Sequence, residues 1–218
     1  MTLPADAAAA RVRMVERQLR RRGISDERVL AAMGRVPREL FVPVDVRPYA
    51  YADDALPIGA GQTISQPFVV ATICSLLALD GSERVLDVGT GSGYQAAVLA
   101  ELASDVVTIE RIPELAETAR AALATAGCSN VEVRVGDGSL GVPERAPFDA
   151  VAVAAAAPTV PPALYGQLVE GGRIVVPRGS RDGQELVLAV RTADGPVERA
   201  VLPVRFVPLL GDEGFGAN

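Results

Sequence analysis

Residues 85–100 read VLDVGTGSGYQAAVLA: an apolar run reaches an acid, breaks into a turn with glycine at every second position, and resumes as an alanine-rich stretch. A strand passing straight into a helix through such a turn is the opening unit of a parallel, doubly wound sheet. Gly89, Gly91 and Gly93 let the backbone adopt conformations closed to other residues and approach a ligand closely. The spacing also limits which ligand. Dinucleotide-binding turns read G-x-G-x-x-G and face a pyrophosphate. Here the pattern is G-x-G-x-G, and Asp87 before it would repel a pyrophosphate while attracting a cationic amino group. An adenosyl group carrying an amino acid suits that chemistry, which points to S-adenosylmethionine, with Thr90 and Ser92 counted among the loop residues that hold it.

The rest of the chain agrees. After Gly81, apolar runs predict strands over 84–88, 105–110, 131–135, 149–154 and 173–177, with helices near 94–102, 113–126 and 161–169 between them. Asp194-Gly195 signals a C-terminal antiparallel hairpin. Ahead of this core, Val12, Val15 and Leu19 space a helix over 7–22 that Gly23 stops, and Ser25 is expected to cap a second one running to Met33. A proline-punctuated segment reads as loops wrapped over the core. A further helix then opens at Ser65 and Pro67, with Phe68, Ile73, Leu76 and Leu77 as its apolar face. The expected fold is α/β, a doubly wound, mostly parallel sheet with N-terminal helices and a C-terminal antiparallel hairpin. It forms one structural domain overall, with residues 1–80 as a helical elaboration and substrate-site segment on a cofactor-binding core of 81–218.

Two more acids follow the expected strands. Glu110 closes the second, where it can accept hydrogen bonds from both ribose hydroxyls; Asp137, beside Gly138 in GDG after the third, can receive the adenine amino group. With Asp87, these acids fall at the carboxyl ends of consecutive strands, the crevice in which doubly wound sheets bind ligands.

The net charge of −6 argues against a nucleic-acid partner. Cys74 and Cys128 fit neither a disulfide framework nor a metal spacing and read as buried thiols of a reducing cytoplasm, and the absence of histidine removes the remaining common zinc ligand, so no metal is expected. The uncharged runs near 55–79 and 150–169 are broken by proline and glycine, and the N-terminus lacks a basic start followed by an apolar block, so neither membrane association nor export is expected. The expectation is a cytoplasmic monomer.

At this point the sequence resembles the protein-L-isoaspartate O-methyltransferases. The resemblance runs through MVERQLRRRGISDERVLAAMGRVPRELFVP, AYADDALPIGAGQTISQPFVVA, the glycine motif, GDGSLGVPERAPFDAV, AAAAPTVPPALYGQLVEGGRIVVPRG and VRFVPL, of which QTISQP and FVPL are the most specific in order and place. It implies that the sheet is of the class I S-adenosylmethionine-dependent methyltransferase (Rossmann-like) type, and it implies methyl transfer from S-adenosylmethionine to the α-carboxylate of isoaspartyl residues in peptides and proteins, whose ester then collapses to a succinimide and is repaired. It places the active-site serine on Ser65 and main-chain contacts to the substrate at Ile64 and Val207, and it agrees with the cofactor roles of Asp87, Gly89, Gly91, Gly93, Glu110 and Asp137. Two other readings stand beside it: a methyltransferase tailoring an ordinary aspartate of a dedicated peptide, and a non-catalytic nucleotide-binding relative. Ala154, where many bacterial relatives carry threonine, and Arg178 depart from the family pattern, away from the expected chemistry; the tail after Leu210 matches little.

The chemistry explains the missing histidine. A carboxylic acid with a pKa of about 3.9 is ionised at neutral pH, so the nucleophile needs no general base. Positioning is the enzyme's task. Ser65 is a common helix-cap residue for its place before Pro67; with QTISQP around it, it is expected to orient the acceptor carboxylate, together with free N–H groups of the helix start.

Overall fold

The computed structural model describes residues 7–216; the first residues of the segment read for an export signal and the last two of the tail lie outside them. Seven strands form the central sheet: β3 (Arg84–Val88), β4 (Asp105–Glu110), β5 (Val131–Val135), β6 (Phe148–Val153), β7 (Leu168–Gly179), β8 (Gln184–Thr192) and β9 (Gly195–Val204). Their order is β5-β4-β3-β6-β7-β8-β9, parallel from β5 through β7 and antiparallel from β7 to β9. The chain steps outward from β3 to β5 and then returns to the other side of β3. That reversal opens a crevice beyond the carboxyl ends of β3 and β6. The hairpin expected at Asp194-Gly195 forms, with Thr192 paired to Gly195.

Strand alternation sorts the side chains into two cores. Val85, Val106, Ala150 and Ala152 pack under the N-terminal helices and α4 (Tyr94–Ala100), while Leu86, Val88, Val107, Ile109, Val151 and Val153 form the core of the other face. Asp87, Thr108 and Glu110 share the phase of Val85 and Val106, so they face α4. α5 (Pro113–Thr125) packs on β4 and β5.

Several boundaries differ from expectation. The first helix is α1 (Ala7–Met14), continued by a wider π-helical turn to Leu19 and a tight turn through Arg22; Gly23, at φ 97°, ends it. Val12 is 59% exposed, so the buried stripe begins at Met14 and Val15 instead. Asp26, not Ser25, caps α2 (Glu27–Arg35), its carboxylate accepting from the N–H groups of Arg28 and Val29. The helix expected over 161–169 is only α6 (Pro162–Gly166), because Leu168 already pairs with Phe148 as the start of β7. The stretch read as loops holds a small hairpin, β1 (Leu56–Gly59) and β2 (Gln62–Ile64), that delivers the chain to α3 (Pro67–Leu77). Cys74 is buried, and burial pushes its thiol pKa up; Cys128 is half-buried. Among the described residues, no helix is long and apolar enough to cross a membrane, and no group of His, Cys, Asp or Glu could hold a metal.

Candidate active site

A cavity of about 250 Å³ lies at the crevice. Gly89, Thr90, Gly91 and Ser92 line it from the glycine turn, Glu110 and Gly138 from the ends of β4 and β5, and Ile64, Ser65 and Val207 from the segments flanking the core. Asp87, Gly93 and Asp137 do not line it, each for an identifiable reason.

Asp87 is fully buried on the α4 side of β3. One carboxylate oxygen accepts from the Gln95 amide at 2.7 Å, and the other from the hydroxyl of Thr108, its register partner on β4, at 2.8 Å. Burial pushes its pKa up to about 6, the nearby Glu110 charge adding to the rise and the two hydrogen bonds opposing it. It acts behind Gln95, and Gln95 does line the cavity.

Gly93 starts α4 at φ 88°, and a Cβ there would lie 3.3 Å from Ala119 and Leu123 of α5. This glycine serves helix packing. Asp137 anchors the tail: one oxygen accepts from the N–H and hydroxyl of Ser139 at 2.9 and 2.7 Å, the other from the Asp212 N–H at 2.9 Å. The Glu213 N–H donates to Ser139 Oγ, and its carboxylate accepts from the Ala163 N–H at 2.7 Å. The tail that matched little in the sequence thus straps across Asp137, and Leu209 and Leu210 just ahead of it line the cavity.

Hydrogen bonding in the glycine turn tests which cofactor fits. The N–H groups of Gly89 and Thr90 donate to the Ile109 carbonyl, that of Gly93 to the Thr90 carbonyl, and that of Gly91 to Glu110 Oε2 at 2.8 Å. The Tyr94 N–H, at the start of α4, turns to Ser92 Oγ. These five N–H groups are therefore already committed within the protein and are not available to cradle a pyrophosphate. What the cavity offers instead is acceptors. Glu110 uses two of its roughly four lone-pair positions, on Gly91 and on the Ile112 N–H at 3.0 Å, and keeps the others. Gln95 Oε1 is buried without a partner. The spare acceptors of Glu110 suit the hydroxyls of S-adenosylmethionine, so the residues present fit that group.

A second groove, lined by Arg22, Phe68 and Arg205 among others, meets the first. Thr63, Ser65, Ala154 and Val207 belong to both and form the neck between them. Ala154, expected to stand away from the chemistry, lines both cavities. Arg178, the other departure, pairs with Glu198 on β9. The expected free N–H groups at the start of α3 are not free: Gln66 occupies the cap position, Asp53 Oδ1 accepts the Phe68 N–H, and Pro67 has none to give. The same Asp53 pairs with Arg22, whose guanidinium lies 3.7 Å over the Phe68 ring. Among the described residues the Ser65 hydroxyl has no protein partner and is left to face the neck.

Arg38, which the sequence reading did not single out, supports the candidate site from behind Ser65. It is fully buried, donating from Nε to the Ala50 carbonyl at 2.7 Å and from Nη2 to the Ser65 carbonyl at 2.8 Å, over the Tyr94 ring at 4.7 Å. Its Nη1 is buried without a partner. The guanidinium thus fixes the backbone of Ser65 and places a positive charge behind the neck. Only its setting in RVPREL, in a segment otherwise read as loop, was available as a signal.

The model of the protein-L-isoaspartate(D-aspartate) O-methyltransferase family matches residues 10–214. A relative from Marinobacter nauticus, protein-L-isoaspartate O-methyltransferase 2, is 57% identical over 96% of this chain and 97% of its own; one from Methanoculleus marisnigri is 54% identical over 94% and 93%. Among solved structures, a protein-L-isoaspartate O-methyltransferase superposes with a TM-score of 0.84 at 32% identity, covering 94% of this chain and 67% of that one. A Plasmodium falciparum structure assigned to the same activity, in complex with S-adenosyl-L-homocysteine, superposes with a TM-score of 0.80 at 25% identity over 92% and 98% of the two chains.

Proposed function

Because the chain belongs to the protein-L-isoaspartate(D-aspartate) O-methyltransferase family, we propose that its two joined cavities are the donor and acceptor sites of that reaction, with Ser65 at the point of transfer. The enzyme methylates isoaspartyl residues in proteins with S-adenosylmethionine, as part of their repair. The observation that carries the site assignment is the neck: a serine hydroxyl free of protein partners is shared by an acceptor-rich cavity and a groove lined by two arginines and no acid.

When bound, S-adenosylmethionine supplies an electrophilic methyl group on a positively charged sulfur. Glu110, Gly138 and the glycine turn would hold it. The Ser65 hydroxyl donates to one oxygen of the acceptor carboxylate, aiming the other through the neck. Arg38, fixing the Ser65 carbonyl, keeps that hydroxyl in place, and its charge favours an anionic acceptor. No residue has to move a proton, since the nucleophile is already ionised, and nearby apolar groups such as Ile64, Ala154 and Val207 limit water around the reacting charges. In this reading, residues 1–80 form the substrate-side elaboration on an 81–218 core, and the packing of Met14, Leu19, Leu30 and Ile73 into one cluster with Val85 and Val106 supports one structural domain overall. The same reading makes the protein a cytoplasmic monomer without nucleic-acid or membrane partners, in keeping with its unpaired cysteines and negative charge.

The decisive experiment measures methyl transfer to an isoaspartyl peptide and to its aspartyl twin. Transfer to the first alone supports the assignment; transfer to the second alone would turn it toward a dedicated-peptide enzyme, and transfer to neither toward a binding protein. Ser65→Ala should lower kcat/KM for the isoaspartyl peptide by about 10- to 100-fold, the worth of one hydrogen bond to a charged group, with S-adenosylhomocysteine affinity unchanged. Undiminished turnover would remove Ser65 from the mechanism.

A further inference from the structure

We infer that Arg205 is a specificity residue: it makes the acceptor groove favour peptides with an Asp or Glu side chain within two residues of the isoaspartate. The inference rests on the reading that this groove takes the isoaspartyl peptide, and it names the kind of sequence that fits there best. Of the two arginines in the groove wall, Arg205 is the one with charge to offer. Arg22 is paired with Asp53 and lies over the Phe68 ring. Arg205 is exposed, and among the described residues it makes no hydrogen bond, ion pair or ring contact. No acid lines the groove, so that charge is left unbalanced. On a chain of net charge −6, an uncompensated cation in a groove reverses the protein's field locally and draws in acidic side chains.

The place of Arg205 separates this duty from holding the acceptor carboxylate itself. The neck is formed by Thr63, Ser65, Ala154 and Val207, and the positive charge behind it belongs to Arg38. Arg205 lines the groove and not the donor cavity. It stands two residues from Val207, at most about 7 Å along an extended chain, a distance that an extended peptide also covers in two residues. The backbone between them is pinned. Gln184, 7% exposed, donates to the Phe206 carbonyl at 3.2 Å and accepts from the Phe206 N–H at 2.6 Å, and the Ala156 N–H donates to the Val207 carbonyl at 2.8 Å. The guanidinium therefore starts from a fixed base beside the neck, and its forked donors match the two oxygens of a carboxylate. A cationic side chain on the peptide meets repulsion at the same point.

The test uses pairs of isoaspartyl peptides that differ only in carrying Glu or Gln at one of the two positions before or after the isoaspartate, with kcat/KM measured at low ionic strength. Wild-type protein should favour Glu over Gln about three- to fivefold at one or more of these positions, as for an exposed ion pair, chiefly through KM. The preference should fade in about 0.5 M salt. Arg205→Lys should keep most of it, Arg205→Gln should bring the ratio to about one, and Arg205→Glu should invert it. A purely structural role for Arg205 would slow both peptides of a pair alike and leave the ratio where it was. A ratio unchanged in Arg205→Gln and Arg205→Glu, or a wild-type ratio near one at all four positions, overturns the inference and leaves the methyl-transfer reading standing. If wild-type protein methylates no isoaspartyl peptide, the reading of the groove falls and this inference with it. Should the variants fail to fold, the wild-type ratio decides: a preference for Glu that persists undiminished in salt is not a preference for charge and overturns the assignment.

Discussion

Glu110→Ala is expected to weaken S-adenosylhomocysteine binding by about 10² to 10⁴-fold, with little change in the KM for an isoaspartyl peptide at saturating cofactor. The estimate follows from what the carboxylate does. It is 7% exposed, ends β4, and accepts from the N–H groups of both Gly91 and Ile112, which join the glycine turn to the start of the next connection. Its remaining lone pairs face the cavity, where ribose hydroxyls would donate to them. Truncation removes those acceptors and also releases two buried backbone donors. Each hydrogen bond to a charged group is worth about 1.5–3 kcal/mol, so the loss of two at the ligand gives the stated range. Glu110→Gln should fall between wild type and alanine, because its single oxygen can serve one partner at a time while its NH₂ opposes a backbone donor. Calorimetry on the three proteins decides the matter; an alanine variant that binds within threefold of wild type would move the ribose elsewhere.

Glu110 was also legible in the sequence, and the contrast with Asp137 shows why. An acid ending a strand beside a glycine turn is placed by the sheet: register pairs Asp87 with Thr108 and Val88 with Ile109, which leaves Glu110 level with the turn itself. Period-two alternation and the parallel order settle such positions, and the α/β core came through from 84 to 204 with few changes. Asp137 lies beyond the end of β5, where no such periodicity applies. Its partner was a tail 75 residues away, in a run whose composition gives no sign of where it docks. Arg38 was hidden for the same reason. A buried arginine reads in sequence as a solvated one, and only the folded chain shows that the carbonyls of Ala50 and Ser65 receive it. Ser65 lies between these cases. The sequence located it at a helix entrance, but Asp53, distant in sequence, takes over the capping of Phe68 and frees the Ser65 hydroxyl from that duty.

The second large effect is on stability, and its sign is opposite. Asp87→Asn should stabilise the fold at neutral pH while weakening S-adenosylhomocysteine binding. In the native state Asp87 has its pKa pushed from 3.8 up to about 6, chiefly by burial. The folded protein therefore holds a proton on this group more tightly than the unfolded chain does. Above pH 6 the group is ionised in both states and its burial costs about 3 kcal/mol, from about 1.4 kcal/mol for each pH unit of separation. As pH falls through 6 toward 4, the native state takes up the proton first and the cost disappears. Asparagine, uncharged at every pH, lacks that cost, so the variant's advantage in urea denaturation should be about 1–3 kcal/mol at pH 7.5, fall to about half by pH 5 and nearly vanish at pH 4. The loss of affinity follows because asparagine cannot accept with the strength of a carboxylate from Gln95 and Thr108 together, and Thr108 in turn holds Thr90 of the glycine turn that lines the cavity. A stability difference that does not change with pH would show that the charge of Asp87 is not what the fold is carrying. A variant both more stable and undiminished in affinity would show that the buried acid serves neither the fold nor the cofactor. The combination expected here, a less stable wild type that binds better, is the pattern of a charge kept in the core for the ligand it helps to hold.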